Sequence, residues 1–311
     1  MRAVVTGATG FVGKWLVNEL LSQGDEVTVI VRNRQMIPVE WLDKLCIIER
    51  TMEQLADIQK EDFGNRTQDI FFHLAWAGTS GMDRADIGLQ LGNVQFTCEA
   101  VCLAERVGCS KFINAGSIME YEAMQYLSSD GAVPGLGNIY STAKLTADFM
   151  AKIVAAKANI AYVNVIISNI YGPGERSARF LNTVLRKMLG NEKIALTHGN
   201  QLYDFIYVSD AVRAMITAGK KGKANTAYYI GNVRQRPLKE YVICMKSILN
   251  SDSELGFGEI PFQGALLTYH EFDTGRLEQL GFWPAVTFEE GVKLTRDWIL
   301  GGENEYKFSD I

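Results

Sequence analysis

Along the first half of the chain, short runs of β-branched residues alternate with longer segments whose apolar positions recur every three or four residues. Residues 2–6 and 26–31 are runs of the first kind, and between them Phe11, Val12, Trp15, Leu16 and Leu20 follow a helical period. Further strands are predicted near 46–49, 69–75, 111–116 and 162–168. The longest helices are predicted over roughly 83–107 and 139–158; the second is rich in Ala, Lys, Leu and Met, with no Gly or Pro inside it. Repeated strand–helix units predict an α/β fold, a doubly wound parallel sheet with helices on both faces.

Beyond Gly172-Pro173-Gly174 the rhythm changes. A helix near 177–189, short strands near 193–197 and 203–207, and helices near 208–219, 237–249 and 287–300 predict a smaller mixed α/β lobe built around a ligand. The expected division is 1–170 and 171–311, with the chain free to cross between the two. Residues 301–311 are polar and glycine-led and are expected to form a loosely held tail.

Composition narrows the partners. The chain has 311 residues, 47% hydrophobic and 22% charged, with 31 Lys and Arg against 36 Asp and Glu. Disorder, collagen and coiled coil are excluded. The net charge of −5 and the lack of any basic block argue against nucleic acid. No apolar run approaches the roughly 18 to 20 residues that cross a bilayer, and the sequence enters a glycine-rich turn with no leader before it. A cytoplasmic protein is expected. Cys46, Cys98, Cys102, Cys109 and Cys244 are odd in number, have no CxxC spacing and sit in apolar sequence, so buried thiols of a reduced compartment are expected, and no metal site.

Between the first strand and the first helix stands Thr6-Gly7-Ala8-Thr9-Gly10-Phe11-Val12-Gly13. Glycines there permit a tight turn and let the backbone approach a pyrophosphate, which the helix N-terminus then faces. Gly7, Thr9, Gly10, Phe11, Val12 and Gly13 are the candidate cofactor residues of this loop. An acidic residue that binds ribose hydroxyls is usual at the end of the second strand; here Val31 is followed by Arg32 and, two residues on, Arg34. A carboxylate would repel a 2′-phosphate and a guanidinium can bind it, so NADP(H) is favoured over NAD(H).

Tyr140 and Lys144 are four apart and share a face of the predicted helix. A nearby ammonium lowers a tyrosine pKa, which suits a group that exchanges a proton as hydride moves. Ser117, at the end of a parallel strand, can hydrogen-bond the same carbonyl oxygen.

Taken with His73-Leu74-Ala75-Trp76-Ala77-Gly78, Asn169-Ile170-Tyr171-Gly172-Pro173, the run from Tyr203 to Asp210, and Leu280-Gly281-Phe282-Trp283-Pro284, these motifs span essentially the whole chain. In their order and spacing the sequence resembles an extended short-chain dehydrogenase/reductase of the nucleotide-sugar epimerase, dehydratase and reductase group, with a Rossmann-type sheet. The resemblance implies that Lys144 also contacts the nicotinamide ribose, that Ala75, Trp76 and Ala77 line the cofactor through their backbone, and that Asn93 supports the site. Asn114 reads equally as a structural polar residue, and His73 as a strand-end hydrogen-bonding residue. On the substrate side it implies Asn169 near the phosphates, Phe180 and Leu181 near the base, and Tyr203 where many relatives carry a diphosphate-binding arginine. Arg176, Arg179, Arg234, Arg236 and Arg276 are alternative sources of that charge.

Sugar 4,6-dehydratases carry an Asp-Glu pair directly after the serine or threonine position, and here Ile118 and Met119 follow Ser117. The leading expectation is therefore an NADPH-dependent reductase of a 4-keto-6-deoxy nucleotide sugar. A nucleotide-sugar 4-epimerase that recycles NAD is second, and a non-catalytic dinucleotide sensor or a reductase of a non-sugar ketone follow. A homodimer through the helices near 83–107 and 139–158 is implied by the resemblance.

Overall fold

The computed structural model describes residues 1–131, 133–232, 234–262, 266–267 and 272–302. In chain order the first part runs β1 (Arg2–Thr6), α1 (Phe11–Ser22), β2 (Glu26–Val31), β3 (Leu45–Glu49), β4 (Ile70–His73), α2 (Ile87–Arg106), β5 (Lys111–Ser117), α3 (Met119–Ser128), α4 (Asn138–Lys157) and β6 (Ala161–Ile167). It continues with β7 (Asn169–Tyr171), α5 (Phe180–Leu189), β8 (Ile194–Leu196), β9 (Leu202–Tyr203), β10 (Phe205–Tyr207), α6 (Val208–Lys221), β11 (Thr226–Ile230), β12 (Arg236–Pro237), α7 (Leu238–Leu249), β13 (Leu255–Phe257), α8 (Gly275–Gln279) and α9 (Phe288–Leu300).

Alternation along each strand sorts side chains into two cores. Ala3 and Val5 of β1 join Trp15, Leu16 and Leu20 of α1 in one cluster, whereas Val4 joins Ala100, Val101 and Leu103 of α2 in another. The same split separates Val29 from Ile30 in β2 and Phe72 from Phe71 in β4. The result is a seven-stranded sheet in the order β11-β6-β5-β4-β1-β2-β3, parallel throughout. Strand order reverses between β1 and β4, which places the ligand crevice of such a sheet at their C-terminal ends.

Three short strand pairs lie outside that sheet. β7 pairs with β10, β9 with β12 and β8 with β13, around an aromatic cluster of Tyr171, Phe205, Tyr207, Tyr241 and Phe288. Asp210, fully buried at the start of α6, accepts from the amides of Ala285 and Val286 at 2.9 and 2.8 Å and so ties that helix to the segment before α9.

Several elements differ from the sequence expectation. β11 leaves the second half of the chain and joins the large sheet beside β6, and α3 forms immediately after β5. The helix expected from 83 begins at Ile87, preceded by a 3-10 turn over Gly81–Ala85, and the helix expected from 177 begins at Phe180. The strand expected over 203–207 is broken at Asp204 into β9 and β10. Cys46 and Cys102 are exposed, correcting the expectation of buried thiols: Cys46 faces outward from β3, the sheet edge, and Cys102 from the outer side of α2, while Cys109 is buried. Most of the expected tail, 303–311, lies outside the described residues. Among those residues no helix is long and apolar enough to cross a membrane, and no group of His, Cys, Asp or Glu is placed to hold a metal ion.

Candidate active site

β1 runs directly into the glycine turn. Gly7 has φ +75°, and a Cβ there would lie 2.7 Å from the Ala75 nitrogen and the Leu74 carbonyl carbon, so only glycine lets this turn lie against the end of β4. Gly10 caps α1, no side chain occupies the first-turn amides, and no acidic residue stands there. A Cβ on Gly13 would overlap the Gly7 carbonyl. Bare amides and the positive end of the helix dipole make an anion site of pyrophosphate character. Thr9 lies within the turn, and Phe11 and Val12 open the helix with partly exposed side chains. Arg32 and Arg34 are exposed just past the Thr6–Ile30 register pair.

The segment after β4 is locked to this turn by a buried relay. The Thr97 hydroxyl donates to the Asn93 carbonyl at 2.8 Å, so it accepts from His73 Nε2 at 3.3 Å, and His73 Nδ1 then accepts from the Thr6 hydroxyl at 2.8 Å. Burial, then the charge of Lys144, lowers the His73 pKa to about 3, which keeps the ring neutral. Asn93 closes the relay: Oδ1 accepts from the Ala77 amide at 3.0 Å and Nδ2 donates to the Ala77 carbonyl at 2.9 Å. Ala75 donates to Thr6 Oγ1 at 3.4 Å. Asn114 stands opposite His73 in the β4–β5 register and donates to Asn164 Oδ1 at 2.9 Å.

Ser117, Tyr140 and Lys144 come together where β5 ends against α4. The Ser117 hydroxyl acts on Tyr140 in favour of its phenolate and accepts from the Met119 amide at 3.2 Å. Tyr140, 8% exposed, meets Trp76 edge-on at 6.1 Å between centroids. Lys144, 6% exposed, donates to the Ala115 carbonyl at 2.8 Å and lies 3.7 Å from the Trp76 ring centre. Trp76 is held in turn by its Nε1 donating to Gln90 Oε1 at 2.9 Å. The expectation that Lys144 lowers the Tyr140 pKa is corrected here. Burial raises that pKa, and the opposing charges are Arg84, then Arg179, because Lys144 is turned toward Ala115 and Trp76. The Arg84 guanidinium sits over the Tyr140 ring at 4.4 Å, and its Nε is buried without a partner among the described residues. Burial also lowers Lys144, to about 7, with Glu120 raising it and Arg179 lowering it further.

On the lobe side, Asn169 spends its amide on the Asp204 carbonyl at 2.9 Å. Leu181 is buried, and Phe180 faces Tyr203 at 6.3 Å. Tyr203 stacks on Phe205 and stands opposite Arg236 in the β9–β12 pair. Arg236 turns into the aromatic cluster, over Tyr241 at 4.7 Å, with an ion pair to Glu289 at 3.5 Å. Arg276 is held by Asp273 and the Ala227 carbonyl. Arg179, at the start of α5, is the arginine of the expected group whose charge reaches both Tyr140 and Lys144. The residues that sequence reasoning missed are Arg84 and Glu120. Arg84 lies on an irregular turn with no periodicity to place it, whereas Glu120, three residues past Ser117, was open to notice.

Residues 3–231 match the NAD dependent epimerase/dehydratase family. The chain belongs to this family. Within the family it is 25% identical over 304 residues to CDP-abequose synthase of Salmonella muenchen, covering 94% of this chain and 96% of that one. It is also 25% identical over 341 residues to UDP-N-acetyl-alpha-D-glucosaminuronate decarboxylase of Bacillus cytotoxicus, covering 98% and 99%. Among solved structures, UDP-glucose 4-epimerase of Thermotoga maritima with UDP-glucose superposes with a TM-score of 0.79 at 23% identity, covering 97% of this chain and 99% of that one. UDP-glucuronic acid 4-epimerase of Bacillus cereus, with UDP-glucuronic acid and NAD, gives 0.75 at 21% identity with the same coverage. These superpositions show that the family's Rossmann-like fold extends over the chain.

Proposed function

We propose that this family member is an NADPH-dependent reductase that converts a 4-keto nucleotide sugar, of the 4-keto-6-deoxy type, to the hydroxy sugar. The observation that carries the reading is the convergence of Ser117, Tyr140 and Lys144 at the end of β5, followed by the apolar Ile118 and Met119. When bound, NADPH supplies the hydride for the carbonyl carbon. Tyr140 donates its phenolic proton to the oxygen, and the Ser117 hydroxyl stabilises the charge that develops there. Burial keeps Tyr140 in the phenol form, the form a reductase needs at the start of its turnover. Arg84 and Arg179 are the charges that favour the phenolate once it forms, and Lys144 binds ribose. The glycine turn and the bare end of α1 suit the pyrophosphate, and Arg32 and Arg34 suit a 2′-phosphate. The full-length similarity to CDP-abequose synthase supports a sugar-nucleotide substrate.

An NAD-recycling 4-epimerase is the second reading, favoured by the superposition on the two epimerases. Purified protein incubated with NADPH and a 4-keto-6-deoxy nucleotide sugar should consume both in equal amounts. Interconversion of two 4-hydroxy epimers without net NADPH loss would replace the reductase reading with the epimerase. The proposed assembly is a homodimer through α2 and α4, whose Ile87, Leu91, Phe149, Met150 and Ile153 are exposed apolar residues. Light scattering at micromolar concentration should give twice the chain mass, and a strictly monomeric mass would rule it out.

A further inference from the structure

The first turn of α3 folds a buried carboxylate back onto the end of β5. Glu120 is 2% exposed. Its Oε1 accepts from the Ser117 amide at 2.8 Å and its Oε2 from Asn164 Nδ2 at 3.0 Å. Asn164 is oriented in turn by Asn114, which donates to its Oδ1 at 2.9 Å. The approach depends on residue 116 being glycine: a Cβ there would lie 2.6 Å from Glu120 Oε1 and 2.5 Å from Asn164 Oδ1. Both partners of Glu120 are N–H donors, an arrangement that favours the ionised carboxylate. Two residues before Ser117, the Ala115 carbonyl accepts from Lys144. The backbone carrying the serine is thus gripped by a carboxyl on one amide and an amine on a nearby carbonyl.

We infer that Glu120 is a positioning residue for the reaction: it fixes the backbone at Ser117 and tunes the charge of Lys144. This rests on the reading of Ser117, Tyr140 and Lys144 as the catalytic set. The titratable groups acting on Glu120 are Lys144 and Asp148 of α4, and its own charge is felt by Tyr140 of α4 and Tyr162 of β6. Those acting on Lys144 are Glu120 and Arg179. Burial pushes Glu120 up and Lys144 down, and each charge opposes that drift in the other.

Glu120→Gln preserves the shape and removes the charge. The alkaline limb of its kcat/KM profile should move to lower pH by about one unit or more, and kcat should fall by about tenfold or more. Glu120→Asp should keep the wild-type limb while losing kcat, because charge survives and reach to Ser117 does not. A Glu120→Gln profile with the wild-type limb, or with lowered kcat alone, would overturn the charge assignment. Infrared difference spectroscopy tests the coupling without turnover and without altering Glu120: in Lys144→Met the protonated-carboxyl band should persist to a pH about one unit or more above that of wild type, and an unmoved band would overturn the coupling. If wild type turns over no keto sugar, the functional reading fails, and the infrared result still decides whether Glu120 and Lys144 are partners.

Discussion

Where β5 meets α4, ionisable side chains are buried together: Tyr140, Lys144 and Glu120 are each less than a tenth exposed, and Glu120 acts on the protonation of the other two. On the lobe side, polar groups of the same kinds are spent internally. Asn169 binds the Asp204 carbonyl, Arg236 its aromatic neighbours and Glu289, and Arg276 binds Asp273. The difference separates two tasks. Proton transfer needs charges held at a set energy, which burial provides, whereas the lobe side shows the partly exposed Phe180 and Tyr203 side by side, with Arg179 at the start of α5.

The strongest challenge to this contrast is removal of the catalytic side's own groups. Tyr140→Phe should lower kcat by roughly a thousandfold or more while leaving NADPH affinity almost unchanged, since only the proton-transferring hydroxyl is lost. Lys144→Ala should damage both turnover and binding. Ser117→Ala should lie between, at about 2.7 to 4 kcal/mol of barrier. Steady-state kinetics with separate cofactor titration checks all three, and a Tyr140→Phe enzyme with most of its kcat would place the proton donor elsewhere.

Protonation sharpens the comparison next. His73 is held neutral by burial with a pKa near 3, below the ordinary value of about 6.5. Its contribution to stability is therefore present above pH 6.5 and lost as pH falls toward 3. Over that window the advantage of wild type over His73→Gln should shrink by about 1.4 kcal/mol per pH unit, measured by denaturant unfolding at each pH. A constant difference would mean that the ring is not buried neutral.

Smaller effects should follow at the edges of the cofactor and substrate sites. NADPH should bind about tenfold or more tighter than NADH, and Arg32→Ala should narrow that gap by calorimetry. Arg236→Ala should cost stability through lost packing yet leave the substrate KM within about twofold. A large KM change would show that the lobe does aim this charge at the ligand.

Much of the catalytic side could be read from the sequence because its signals are local. The glycine turn follows a strand directly, and the spacing of Tyr140 and Lys144 is a helix period. Apart from Glu120, three residues past Ser117, what escaped depended on contacts between distant segments. The stacking of Arg84 on Tyr140 joins an irregular turn to a helix. Thr226–Ile230 is a strand whose place beside β6 is set by the return of α6 across the sheet. The inward turn of Arg236 is decided by Tyr241 and Phe288, which no spacing around residue 236 reveals. The exposure of Cys46 follows from β3 being an edge, a property of sheet order that apolar sequence neighbours do not encode.

The relay running from Thr6 through His73 and Thr97 to Asn93 also constrains how this sequence can drift. Each member has its donor and acceptor committed to the next, so a single replacement leaves a buried polar group orphaned, whereas replacing adjacent members together with apolar groups of similar shape removes both ends of a bond at once. Thr6→Val and His73→Phe combined should then be less harmful than the sum of the two changes made singly. Divergent descendants of this chain are expected to exchange these positions as a set, crossing a valley of destabilised single replacements.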